Sequence, residues 1–214
     1  MNRDWRAWHQ DYDDPASSLS RRLEVVRTQL AALLAEASRP VRLLSLCAGD
    51  GRDTLPVLAT SPVPVSCVLV ELDPVLADAA RASAAALGLA GVEVRTDDAG
   101  TTSCCAGAVP ADVLIACGIF GNVTDADVAR TVATLPSLLA SGAKVIWTRG
   151  CRVPHDPTQA VGDPSETVRP LFDDAGFEEV AFVRPDDASY RVGVHRWPGP
   201  VTPFRDGVRM FSFV

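Results

Sequence analysis

The stretch "VRLLSLCAGDGRDTLPVL", Val41 to Leu58, decides how the rest of the chain is read. Val41–Leu46 is mostly apolar, as a strand covered on both faces would be. It stops at a small-residue loop, Cys47-Ala48-Gly49-Asp50-Gly51, and a helix-like pattern resumes from about Arg52 to Ala59. Strand, glycine loop and helix in that order open a βαβ unit. In an open α/β sheet the loop after the first strand lies at the switch point where ligands bind.

The same alternation runs outward in both directions. Upstream, Asp14-Pro15 reads as an N-cap and first helical residue. Leu19, Leu23, Val26, Leu30 and Leu33 then recur at spacings of four and three, which places them on one helix face until Pro40. Downstream come a second strand from Val63, a helix from Pro74 to Leu87, the strand "GVEVRT" and the apolar strand "ADVLIACG". Thr124 caps a further helix that Pro136 should end. "AKVIWTR", a helix from Pro164 to Ala175, "FEEVAFV" and the closing "VRMFSFV" follow. This predicts an α/β fold: a Rossmann-like, seven-stranded, mostly parallel sheet with helices on both faces. The last strand is expected to be antiparallel and formed by "VRMFSFV". The connection from Arg184 to Asp206 then becomes a long, function-bearing loop.

Bulk properties set the boundaries. The 214 residues suffice for one domain with a sizeable core. No apolar run reaches the length of a membrane span, and the polar, acidic start "MNRDWRAWHQDYDD" lacks the apolar segment of a signal peptide. A cytoplasmic protein is expected. The formal net charge is -7 and Lys144 is the sole lysine, so nucleic acid, which is held by Lys/Arg contacts, is not the expected partner. Six cysteines, Cys47, Cys67, Cys104, Cys105, Cys117 and Cys151, form no C-x-x-C pair and lie far in sequence from His9, His155 and His195. Reduced thiols and no structural metal are expected.

The loop itself discriminates among nucleotides. A phosphate loop needs Lys and Ser/Thr after its last glycine, and here Arg52-Asp53 follows. A dinucleotide loop reads G-x-G-x-x-G, and here Thr54 stands at the third glycine. Asp50 and Asp53 suit a ligand bearing positive charge and no phosphate. S-adenosylmethionine (SAM), with a sulfonium and an ammonium, is such a ligand.

The chain resembles the class I SAM-dependent methyltransferases from about Val41 to its end. "LLSLCAGDGRD" is similar to their first motif, "VLVELDP" to the second, "VRTDDAG" to the third and "ADVLIACGIFGNV" to the fourth. With "WHQDYDDPASSL" and "GVHRWPGP…FSFV" it also resembles a group of actinobacterial methyltransferase-like proteins. The resemblance implies a methyltransferase domain over 41–214, and a lid segment and helix over 1–40 are expected as part of the same domain. It implies that Cys47, Ala48, Gly49 and Gly51 pack under the cofactor and that Glu71 accepts hydrogen bonds from the ribose hydroxyls. Leu72 would lie on the adenine, Asp98 and Ala99 would meet its edge, and Cys117 and Gly118 would face the methionine portion. Two positions depart from the family pattern: Ser45 stands where an acid is usual, and Cys47 stands at the usual first glycine.

For a small-molecule methyl acceptor, three regions offer residues. The N-terminal aromatics Trp5, Trp8 and Tyr12, with His9, could close over the cofactor or merely cover the sheet edge. Phe120 and Asn122 follow the fourth strand, where the amide could orient an acceptor or satisfy a turn. His155, Tyr190 and His195 lie late in the chain, and His9, Asn122 and His195 are the candidates for a catalytic role. Each of these residues also has an ordinary structural reading, as turn, strand end or core. It is the order of loop, acid and acid after successive strands that points to SAM. The alternatives are an NAD(P)-dependent oxidoreductase and a SAM-binding protein without transferase activity.

Overall fold

A computed structural model of the chain describes residues 12, 14–150 and 163–214. Strand β1 (Val41–Leu46) lies at the centre of the sheet, every residue but Arg42 buried. Beside it run β2 (Val65–Glu71) and β4 (Ala111–Ala116), both parallel to it. Strand β3 (Val92–Thr96) pairs with β2, and β5 (Leu139–Gly150) pairs with β4, again parallel. Strands β6 (Glu178–Val183) and β7 (Tyr190–Arg196) complete the sheet; β7 lies between β5 and β6 and is antiparallel to both. The order is β3-β2-β1-β4-β5-β7-β6.

Helices cover both faces. On one, α1 (Ser18–Ala35), α2 (Leu55–Leu58) and α3 (Pro74–Ala86) meet Leu43, Leu69, Ile115 and Ile146. Helix α1 buries Leu23, Val26, Leu30 and Leu34 there, each worth about 1.5–3 kcal/mol of apolar transfer. On the other face, α4 (Asp125–Thr134) and α5 (Ser165–Asp174) close over Leu44, Leu46, Val70, Leu114 and Trp147. The caps follow from side-chain chemistry: Asp73 Oδ1 accepts from Val75 N–H at 2.8 Å and Thr124 Oγ1 from Asp127 N–H at 3.2 Å.

Four sequence expectations shift. Helix α1 starts at Ser18, because Asp14 closes a turn of its own and Ser17 is the cap, accepting from Ser20 N–H. The helix expected over Arg52–Ala59 shortens to Leu55–Leu58. Strand β2 starts at Val65, after Pro64, which has no N–H to donate. The largest correction concerns the seventh strand. It is "YRVGVHR", Tyr190–Arg196, inside the expected long connection, and not "VRMFSFV". Two of its polar residues misled because they are buried with partners inside the protein: Arg191 pairs with Asp163 at 2.6 Å, and His195 Nδ1 accepts from Trp147 Nε1–H at 3.0 Å. Gly193 is required there, since a Cβ would lie 2.3 Å from the Trp147 ring. The displaced tail instead runs outside the sheet, along the loops that follow β3 and β4.

Candidate functional site

The loops after β1, β2, β3 and β4 emerge at one sheet edge and enclose a cavity of about 450 Å3. The first loop is built on alternate left-handed residues: Cys47 at φ 53°, Gly49 at 58° and Gly51 at 76°. Two are glycines, for which this conformation is free of strain. Cys47 bears a Cβ there, at a cost of about 1–2 kcal/mol.

Glu71, at the end of β2, fixes this loop. Its Oε2 accepts from Gly49 N–H at 2.8 Å and its Oε1 from Asp73 N–H at 2.8 Å. The carboxylate is thus immobilised on the cavity wall, and each oxygen carries a second lone pair. Gly51 lies beneath the loop, where a Cβ would meet Leu55 at 2.7 Å and Leu69 at 3.1 Å.

The loop is not a phosphate cradle. Gly51 N–H donates to Ala48 O, Thr54 and Leu55 N–H both to Gly51 O, and Arg52 N–H to Asp50 Oδ1. With Gly49 given to Glu71, these amides are spent inside the protein. Those N–H groups are therefore not available to a ligand at this loop, and four-residue α2 adds little dipole. Charge agrees: the carboxylates of Asp50, Asp53, Glu71, Asp73 and Asp98 share the wall with the guanidinium groups of Arg22 and Arg52. Such a wall favours a ligand with positive charge.

One end of the cavity is a polar cluster. Arg22, buried on α1, donates from Nη2 to Tyr12 Oη at 2.5 Å. Arg52 stacks over the Tyr12 ring at 4.6 Å and pairs with Asp50 at 2.6 Å. Burial raises the Asp53 carboxyl above the ordinary aspartate range, against the Thr54 hydroxyl and the Arg22 charge, which lower it. Burial also raises the thiols of Cys47 and Cys117, so both stand as neutral, weakly nucleophilic wall groups. Leu72, Pro74, Leu76 and Phe213 give the wall its apolar part.

Among the residues picked from sequence for the cofactor, Cys47, Ala48, Gly49, Glu71, Leu72, Asp98, Ala99, Cys117 and Gly118 line this one cavity, and Gly51 supports it from below. Asp98 is engaged already, accepting from Gly100 N–H at 2.8 Å and pairing with Arg209 at 2.6 Å. Gly118 is held on both sides: its N–H donates to Thr148 Oγ1, and its carbonyl accepts from Asn122 Nδ2 at 2.7 Å. Asn122 thus holds the turn after β4, and its own side chain does not line the cavity. Phe120 is fully buried against Trp147 and Phe172. His195 lies in that same aromatic layer, stacked on Phe172 at 4.4 Å, with its pKa lowered to about 4 by burial. It does not face the cavity, which removes the geometric basis for a catalytic base there. Tyr190 lines a second cavity of about 810 Å3 that shares Tyr12, Asp50 and Arg52 with the first. Trp5, Trp8, His9, Cys151 and His155 lie outside the described residues.

Among the wall residues that escaped the sequence reading are Arg22 and Phe213. Arg22 had a signal: it stands four residues before Val26 on the buried stripe of α1, an unusual place for a charge. Phe213 had none, since its tail alternates like a strand. The five described cysteines are free thiols, and no group of three or more metal-ligating side chains occurs among the described residues. No described helix is long and apolar enough to cross a membrane.

No protein-family model and no curated protein matches the sequence. Solved structures share the fold. A magnesium protoporphyrin IX methyltransferase (ChlM) from Synechocystis PCC 6803 with bound SAH superposes with a TM-score of 0.67 at 13% identity, covering 90% of this chain and 94% of that one. An O-methyltransferase family protein from Burkholderia thailandensis gives 0.60 at 17% identity, over 79% of this chain and 55% of that one. A [4+2]-cyclase, SpnF, gives 0.59 at 17% identity, over 81% and 82%. The seven-stranded, mostly parallel sheet of the class I methyltransferases is the fold of this chain.

Proposed function

We propose that the chain binds SAM and transfers its methyl group to O, N or C of a small-molecule acceptor. The observation that carries this reading is Glu71 on the cavity wall, its two oxygens clamped by Gly49 and Asp73 N–H. A fixed carboxylate at the end of the second strand suits a ribose diol. A loop whose amides are already used suits a nucleoside without phosphate. The SAH held by the ChlM structure, which shares this fold, is in keeping with it.

In this reading the polar end answers how the methionine portion is held without the usual acid and first glycine. Arg22 would hold the α-carboxylate, and Asp53 and the backbone of the Cys47–Gly49 loop, which line the same cavity, would hold the ammonium. Cys117 and Gly118, pinned by Thr148 and Asn122, border the sulfonium. SAM supplies an electrophilic methyl group. The chain's own residues align it in line with the acceptor and keep water out. Proton removal depends on the acceptor, and no described side chain of the cavity is placed as a dedicated base.

The cyclase of the same fold favours a second reading, SAM binding with no methyl transfer, because the fold does not determine the chemistry. Calorimetry with SAM, SAH and NAD tests the site. Heat with SAM and SAH and none with NAD is expected, and no heat with SAM at millimolar concentration overturns both readings. Labelled SAM given with a metabolite extract then separates them: labelled product supports transfer, and a persistent lack of label supports the second reading.

A further inference from the structure

We propose that the C-terminal segment, residues 208–214, is part of the nucleoside site, with Phe213 as the aromatic face against which the adenine ring lies. This rests on the SAM reading above and assigns to it a residue outside the methyltransferase motifs.

The segment is fastened to the cavity's own loops at every second residue. Val208 O accepts from Thr102 N–H and Met210 N–H donates to Gly100 O, which ties it to the turn after β3. Met210 O accepts from Thr131 Oγ1 and Ser212 N–H donates to Asp127 Oδ2, which ties it to α4. Val214 N–H donates to Asn122 O in the turn after β4. Met210 and Phe211 are buried in the core. The strap passes so close to the turn that a Cβ on Gly100 would lie 2.5 Å from Phe211 O.

This fastening holds Phe213 on the cavity wall, edge-on to Phe211 at 5.7 Å, while 41% of its surface stays exposed. Leu72, on the same wall, is 64% exposed. A partly exposed aromatic and leucine on a cavity wall, beside a carboxylate suited to a ribose, are apolar area that a flat heterocycle covers. The strap also sets the neighbouring polar edge. Arg209 pairs with Asp98 at 2.6 Å and so orients the carboxylate placed to meet the adenine amino group. A purine is the ligand chemistry that uses all three.

Calorimetry of wild type, Phe213→Ala, Phe213→Leu and Phe213→Trp with SAH and with 5′-methylthioadenosine, which lacks the amino-acid end, tests the assignment. Loss of one base-stacking face lowers affinity by roughly 5- to 150-fold on alanine substitution. Phe213→Ala is expected to fall in that range for both ligands by the same factor, with Phe213→Leu intermediate. Phe213→Trp should bind as wild type does and show a ligand-dependent fluorescence change beyond that of the wild type's own tryptophans. If wild type binds both ligands and folded Phe213→Leu and Phe213→Trp bind as tightly with no added fluorescence change, the inference is overturned and the SAM reading stands. If wild type binds neither ligand, both fall.

Discussion

Glu71 carries two tasks at once: it holds the glycine loop and it presents a carboxylate to the ligand. Glu71→Gln keeps the shape but turns one acceptor into a donor, which then faces the Gly49 or the Asp73 N–H. SAH affinity should fall at least about tenfold, the scale of one charge-assisted hydrogen bond, and titration calorimetry reads it. Gly51→Ala acts on stability instead. It places a Cβ at φ 76°, 2.7 Å from Leu55, and a loss of about 2 kcal/mol in chemical denaturation is expected. Both residues were legible, because an acid ending an apolar strand and a glycine two positions after another are local patterns. Cys47 was legible only as a departure from the family pattern, and its backbone takes a left-handed conformation that glycine adopts without strain. Arg22 was hidden in a helix stripe, because a buried charge is matched by partners far away in sequence.

The β5–β7 pair shows where local patterns fail and carries its own prediction. "YRVGVHR" has the look of a polar connection, yet β7 is buried nearly end to end because its register sets Gly193 opposite Trp147 and His195 opposite Val145. The tail "VRMFSFV" has the better strand pattern but serves as a strap, and nothing in its alternation distinguishes the two uses. The buried imidazole makes this pair sensitive to acid. His195 Nδ1 accepts from Trp147, its Nε2 faces Glu179 at 3.8 Å, Asp173 and Arg169 also act on it, and its pKa is lowered from 6.5 to about 4. The folded state therefore binds fewer protons than the unfolded one between these values, so stability rises with pH across that window. As pH falls from about 6.5 to about 4, on the order of 2–3 kcal/mol should be lost. The loss is complete once both states are protonated. Thermal melts of wild type against His195→Gln check it: the variant's stability should change less over that window, and an identical slope sinks the assignment.

At the scale of the molecule, alternation of strand and helix implies a parallel sheet whose ligand lies at the carboxyl ends of the strands, so the sheet edge carrying the cavity was legible before any coordinate, while the order of the strands was not. The tail was not, since its place depends on Gly100, Thr131 and Asn122, contributed by three separate elements. That dispersal has a thermodynamic consequence. The cavity is closed by loops from four strands and by the strap, so a ligand seated in it binds only the folded chain and stabilises it by mass action. At a hundred times its dissociation constant, SAH should add about 2.7 kcal/mol, read as a rise in melting temperature that grows with the logarithm of ligand concentration. NAD and ATP at equal concentration should leave the melting temperature unchanged, because the loop's Gly49, Gly51, Arg52, Thr54 and Leu55 amides are bonded within the protein and a phosphate would have to displace them. Equal shifts with SAH and ATP would show that the loop opens to phosphate, and the reading of Glu71 as a ribose anchor for a phosphate-free nucleoside would have to be abandoned.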